Sequence, residues 1–390
     1  MSNGCRRAIK AVSVPDRRLP EVVESRRAKI SAASGTDDRP QGDGQIYTGI
    51  HATTAYGHER FYRRSGRIRR GRTRCAGTDP RRTDRRRSAF ERRRGRRCLR
   101  SGEDELGLLA SAIYESIDEL LDVETLDAVF IATPHTLHYE QITAALDRGL
   151  HVLCEKPLTT DIDHAKELVE RAAESNRLVM PGYQRHLDPA FVAARERWQA
   201  RESTPTMFTA EISQNWYSRF DGSWRANPDL SGGGMLYDTG SHVLDVMLWV
   251  TGMEPTAVVA DMAFADEDHR VDKSASLLVE FAEGVTAPVS IGGDAGGVRE
   301  HYHLWDAEGG LFIEGSGWDQ RTLSTVEGEE KHAIEFDDDS PNKVEAFLDS
   351  VVDGADLPAT PRDALKTTIV TEAAYESART GERVEIDIEN

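Results

Sequence analysis

The chain has 390 residues and a formal net charge of -18, long enough for two domains of ordinary size, each with a buried core. Its four cysteines, Cys5, Cys75, Cys98 and Cys154, have neither C-x-x-C spacing nor the density of a disulfide scaffold, which excludes those two classes and points to a reducing cytoplasm. No stretch approaches the roughly 18 apolar residues of a membrane span, and the N-terminus lacks an apolar signal region, so neither membrane nor export is expected.

The charge is divided unevenly. Residues 1–100 hold 28 Lys+Arg against 10 Asp+Glu, while the rest hold 21 against 57. From Arg60 to Arg100 there are 19 arginines and no lysine, and no continuous apolar run long enough for a buried strand stands before residue 104. Such a segment cannot repay its ordering entropy by burial, so disorder is expected there. The remainder reads as a body kept soluble by surface carboxylates, suited to high salt and unsuited to nucleic acid.

From about Ala112 the pattern changes. "DAVFIAT" (127–133) and "LHVLCE" (150–155) are short apolar runs of the kind buried on both faces of a parallel sheet. Between them His138 to Arg148 is amphipathic, with Gly149 as the residue just past its helix. A second helix carries Ile162, Ala165, Leu168, Val169, Ala172 and Ala173, with Thr160 and Asp163 spaced as a capping box, and "RLVMPGY" (177–183) supplies a third strand. This alternation specifies a parallel sheet with right-handed crossovers. After Tyr183 comes a helix with Phe191, Ala194 and Trp198. Five β-rich runs follow, "TMFTAEISQ", "TAVVADMAFA", "ASLLVEFAE", "VTAPVSIGG" and "HYHLWDAEGGLFIEG", in which polar and apolar residues interleave. They read as a largely antiparallel or mixed sheet with one face solvated or covered by a partner. A final helix ends near Gly381.

Candidate chemistry gathers at two places. The three parallel strands end in Thr133-Pro134-His135, Glu155-Lys156-Pro157 and Gly182-Tyr183-Gln184-Arg185; each triplet alone is bland, but they share the sheet edge where open α/β folds bind ligands. In "LSGGGMLYDTGSHVLDVMLWVTG", Asp238 and His242 are four apart and share a helix face if a helix starts near Gly234. Gly232, Gly233 and Gly234 allow the backbone a close approach to a ligand or another element. A histidine exchanges a proton near neutral pH, and a neighbouring carboxylate fixes its tautomer. His301-x-His303 would point both rings to one sheet face, as metal ligands sometimes do, yet no third ligand is apparent, so plain strand residues are expected and no metal.

Together, "FIATPHTLHYEQITAALDRGLHVLCEKPL", "GYQRHLDPAF", "GGGMLYDTGSHVLDVMLWVTG" and "TEAAYESARTGERVEI" resemble the glucose-fructose oxidoreductase / inositol dehydrogenase (Gfo/Idh/MocA) family over residues 112–390. The resemblance implies an α/β fold: a Rossmann-type dinucleotide-binding domain followed by an α+β domain with a large mixed or antiparallel sheet. It implies an NAD- or NADP-dependent oxidoreductase acting on a secondary alcohol or carbonyl of a sugar, polyol or sugar acid. Lys156 would hydrogen-bond the reacting oxygen, Asp238 would orient Lys156 or His242, and His242 would exchange the hydroxyl proton while hydride moves to or from nicotinamide C4. Thr133, Pro134, His135, His138 and Glu155, with Lys156, would face the nicotinamide ribose and its surroundings. A cis bond before Pro157 would aim Lys156 inward, and Arg185, Trp224 and Arg225 would line the substrate pocket.

The sequence departs from that family at its start. Where Gly-x-Gly-x-x-Gly is due stands "RRSGRIRRGRT", with Gly66 and Gly71 but Ile68 between them. A basic arm for nucleic acid would explain the charge but not the missing cofactor half; a shifted reading frame through GC-rich DNA explains both and is preferred. The expected organisation is residues 1–103 as an arginine-rich segment, 104–185 as the remainder of the dinucleotide domain, and 186–390 as a substrate and oligomerisation domain. A homo-oligomer, dimer or tetramer, is expected through the outer sheet face. The alternatives are a non-catalytic sugar-binding or regulatory relative, which need bind no nicotinamide, and a nucleic-acid-binding protein led by the arm.

Overall fold

The computed structural model describes residues 9–10, 113–114 and 116–388 apart from 319 and 338, so the expectations for residues 1–103 fall almost wholly outside the described residues. The chain divides into two units, residues 1–43 with 47–123, and residues 44–46 with 124–390. In the first, Ile9–Lys10 pairs antiparallel with Ile113–Tyr114. The helix Ile117–Val123 buries Ile117, Leu120 and Leu121, and the Ser116 hydroxyl accepts the Glu119 amide at its start.

In the second unit the apolar runs form a parallel sheet, order β1 (Ala128–Ile131), β2 (His151–Cys154), β3 (Val179–Pro181). Helix α1 (His138–Asp147) and helix α2 (Ile162–Glu174) make the crossovers. Val152, Leu153 and Cys154 are all buried because a parallel strand has helices on both faces. Gly149 has φ 71°, the left-handed conformation foreseen for the residue past α1. The cap of α2 differs from expectation: Asp161, not Thr160, is the N-cap, its carboxylate accepting the His164 amide at 2.9 Å. A carboxylate one residue nearer the helix reaches that donor first.

Helix α3 (Pro189–Gln199), buried along Phe191, Ala194 and Trp198, leads into a nine-stranded mixed sheet. Its strands are β4 (Met207–Asn215), β5 (Pro255–Phe264), β6 (Asp272–Phe281), β7 (Thr286–Gly292), β8 (Asp294–Trp305), β9 (Gly310–Ser316), β10 (Arg321–Glu327), β11 (Glu330–Ile334) and β12 (Val384–Glu385). They lie in the order β11-β10-β9-β8-β4-β7-β6-β5-β12, and only β4 with β7 pairs parallel. Along β4, Phe208, Ala210 and Ile212 are buried while Met207 and Glu211 are exposed, the alternation of a half-buried strand. Helix α4 (Ser241–Thr251) is buried on nearly every side, with seven apolar residues of eleven distributed around it. Helix α5 (Lys343–Asp353) packs beside β2, and α6 (Pro361–Thr380) packs on β5, α2 and α4, ending at Gly381 with φ 72°. No helix of the described residues is long and apolar enough to cross a membrane.

Candidate active site

The turn after β2 carries Glu155 and Lys156, and the Lys156–Pro157 bond is cis. Lys156 Nζ donates to Asp238 Oδ1 at 2.9 Å and to the Asp238 backbone carbonyl. An ammonium has three protons, so one N–H of Lys156 stays available. Trp216, at the end of β4, donates its indole N–H to Asp238 Oδ2 at 2.7 Å, and Arg225 Nε lies 3.2 Å from the same oxygen. Burial by itself would raise the Asp238 carboxyl, but the charges of Lys156 and Arg225 overcome it and hold the group ionised far below the usual carboxylate range. Lys156 is itself lowered, because burial outweighs the attraction of Asp238.

Asp238 sits in a single π-helical turn, Leu236–Gly240, that runs into α4. The four-residue spacing suggested an Asp238–His242 pair; instead both carboxylate oxygens serve Lys156, Trp216 and Arg225, and His242 Nδ1 is buried with no hydrogen-bond partner. Burial, followed by the positive charges of Arg185 and Lys156, keeps the His242 imidazole neutral, and the Tyr183 ring stands edge-on to it at 6.0 Å.

The turn Thr133-Pro134-His135 follows β1. His135 Nδ1 lies 2.9 Å from the Ser231 carbonyl, and Trp224 meets the His135 ring edge-on at 4.9 Å, with the Arg225 guanidinium 4.5 Å above the Trp224 ring. His135, Trp224, Arg225, Asp238 and Lys156 thus form one connected cluster. His138 points elsewhere: Nδ1 faces the Pro157 carbonyl at 2.8 Å and Nε2 the Thr133 carbonyl at 2.9 Å, so the ring ties two strand-end turns together. Thr133 Oγ1 donates to Gln141 at 2.7 Å, and Glu155 is paired with Lys343 at the start of α5.

Arg185 lies in a buried network. Its Nε donates to Glu300 Oε1 at 2.7 Å, and Arg321 and Tyr302 donate to the same carboxylate at 2.7 and 2.6 Å. Arg185 Nη2 remains buried and unpartnered. The three glycines act on protein rather than ligand: a Cβ on Gly234 would stand 2.1 Å from the Asp272 carbonyl oxygen, and one on Gly233 2.3 Å from Tyr375. Asp272 accepts the Gly234 and Leu236 amides at 3.2 and 3.0 Å, which fixes the approach to the Asp238 turn.

Two profiles match this chain. Residues 103–183 match the oxidoreductase family with NAD-binding Rossmann fold of Gfo/Idh/MocA, and residues 193–311 match the Gfo/Idh/MocA C-terminal domain. The chain belongs to the Gfo/Idh/MocA family. Among Gfo/Idh/MocA relatives, D-xylose 1-dehydrogenase (NADP(+)) 2 of Haloferax volcanii is 29% identical over 290 residues, covering 73% of this chain and 87% of that protein. The scyllo-inositol 2-dehydrogenase (NADP(+)) IolW of Bacillus subtilis is 25% identical, covering 69% and 81%. The crystal structure of aldose-aldose oxidoreductase from Caulobacter crescentus, complexed with glycerol, superposes with a TM-score of 0.64 at 24% identity over 74% of this chain and 88% of that one. That likeness establishes the fold, an α/β Rossmann-type domain joined to a large mixed sheet.

The chain is accordingly a nicotinamide-dependent oxidoreductase. Its described residues fit the nicotinamide end of such a cofactor: an unspent ammonium proton and an unpartnered, neutral imidazole lie at the carboxyl edge of a parallel sheet. Where the glycine-rich turn is due lies outside the described residues. Sequence reasoning missed Trp216, Lys343, Glu300 and Arg321. Each meets its partner 21 to 188 residues away in sequence, and the only local hint was an aromatic residue at the end of β4.

Proposed function

We propose that the chain interconverts a secondary alcohol and a carbonyl on a sugar, polyol or sugar acid, using NAD or NADP, with Lys156, Asp238 and His242 at the reacting centre. The names of the relatives support that substrate class. The observation that carries the residue assignment is the Lys156 ammonium anchored by Asp238 with one proton to spare, in the same unit as a buried His242 whose Nδ1 has no partner. When bound, the cofactor supplies or receives hydride at nicotinamide C4. Lys156 donates its remaining hydrogen bond to the substrate oxygen and favours negative charge there. His242, kept neutral, takes the hydroxyl proton on its imidazole in oxidation and returns it in reduction. Asp238 holds Lys156 charged against the cost of burial, while Trp216 fixes the carboxylate plane.

Around this centre, Thr133, Pro134, His135 and Glu155 would line the nicotinamide ribose, with His138 holding their turns in place. Trp224 and Arg225 would contact the substrate, and Arg185, its Nε spent on Glu300 and its Nη2 buried, would reach it only through Nη1. The exposed outer-face side chains Met207, Val259 and Leu278 favour pairing of chains through the large sheet. The experiment is a screen of NAD and NADP reduction over sugars and polyols, first with the chain as given and then with Lys156→Ala and His242→Ala. On whichever substrate reacts, each variant is expected to lower kcat on the order of 100-fold; turnover within threefold of the parent would refute the assignment.

A further inference from the structure

We propose that His301, His303 and Glu314 form a divalent transition-metal site, of zinc type, on the outward face of the large sheet. His301 and His303 are two apart on β8 and therefore share a face. Register then supplies the ligand that sequence could not: Glu314 on β9 stands directly opposite His301. His301 Nδ1 and His303 Nε2 lie 3.9 and 3.6 Å from the same oxygen, Glu314 Oε1. All three ligand atoms lie within 4.8 Å of one another.

Those spacings are too long for N–H···O hydrogen bonds, and both nitrogens are buried without a partner. They are close to the edge of a tetrahedron built on metal–ligand bonds of about 2.0–2.2 Å, which is about 3.4 Å. A cation between the three atoms would engage two buried, unpartnered ring nitrogens and one carboxylate oxygen with a small contraction, His301 shifting its proton from Nδ1 to Nε2. Phe312 stacks on the His303 ring at 4.1 Å and holds its orientation. Two imidazoles and a carboxylate suit zinc, with the fourth position open to water. Glu211 on β4, opposite His301 on its other side, adds negative charge to the same face.

Two cations oppose the site. Lys331 pairs with Glu314 Oε2 at 2.5 Å, and Arg299 Nε donates to His301 Nε2 at 3.2 Å, the nitrogen that must carry the proton once Nδ1 binds metal. Their removal is expected to tighten binding, because each repels a bound cation and occupies one of its ligands.

The full chain, freed of metal by chelator, is titrated with Zn²⁺ against a chromophoric competitor, and with Co²⁺ for the visible absorption of a four-coordinate site. One equivalent is expected to disappear in the double variant His301→Ala/His303→Ala. Glu314→Gln should weaken that equivalent at least tenfold, and Lys331→Ala should tighten it severalfold. Thermal midpoints in chelator equal to that of the parent would show that the variants fold. The proposal is overturned if the parent binds no stoichiometric Zn²⁺, if the double variant keeps the same equivalent at the same affinity, or if Lys331→Ala weakens binding.

Discussion

Replacing Glu300 by Gln tests the buried network beneath the site. Glu300 is 1% exposed and accepts hydrogen bonds from Arg185, Arg321 and Tyr302. Burial alone would raise its carboxyl, yet the two guanidinium groups bring it down from 4.5 to about 2. At about 1.4 kcal/mol per pH unit, that gap makes the ionised carboxylate worth roughly 3 kcal/mol to the folded chain. Breaking a buried pair from one side costs about 3–5 kcal/mol, because the charges left behind stay desolvated, so the two routes agree. Because the folded value lies below the unfolded one, this stability is whole above about pH 4.5 and drains away as pH falls towards 2. Urea denaturation of parent and Glu300→Gln, followed by tryptophan fluorescence, should show a difference of about 3 kcal/mol at pH 7 that shrinks steadily below pH 4.5. A difference under about 1 kcal/mol at pH 7, or one unchanged down to pH 3, would refute the reasoning.

Asp238→Asn removes the charge that opposes the desolvation of Lys156, so Lys156 should lose its proton at lower pH. The alkaline limb of the kcat/KM profile is expected to move towards neutrality, with kcat at pH 7 down on the order of 100-fold; an unmoved limb would mean that Asp238 does not hold the lysine. Gly234→Ala forces a methyl to 2.1 Å from the Asp272 carbonyl, and an unfolding cost of about 3 kcal/mol is expected from denaturant titration. Gly296→Ala, where a Cβ meets nothing within 4 Å, is the control; equal stability of the two would show that the glycine approach is not tight.

Much of the fold was legible because its signals are local. The apolar runs of β1, β2 and β3 stand out since burial on two faces leaves no polar positions, and the alternation of β4 and β6 follows from one outward face. Gly149 and Gly381 mark helix ends because φ near 70° is costly for other residues. The site was legible in part. Lys156 followed by Pro157 and the pair Asp238 and His242 were visible as residues, and the family resemblance offered Lys156 or His242 as the partner of Asp238 without deciding between them. The structure gives Asp238 to Lys156, and the π turn in which Asp238 sits is not revealed by a four-residue spacing. The triple glycine suggested close approach to a ligand or another element, and it is another element, Asp272 and Tyr375, that occupies the space it opens.

The sequence by itself determined the three parallel strands and their crossover helices, five of the β-rich runs of the large sheet, which residue types gather at the edge of the parallel sheet, and the family that those motifs resemble; β10, β11, β12 and α5 it did not mark. Tertiary structure alone decided the partners: Trp216 for Asp238, Lys343 for Glu155, Glu300 for Arg185 and Glu314 for His301 and His303. The reason is physical. Periodicity records how one segment meets its neighbouring layer, while a buried charge is satisfied by whatever the completed packing brings within about 3 Å, over separations of 22, 115 and 188 residues for the first three kinds of contact.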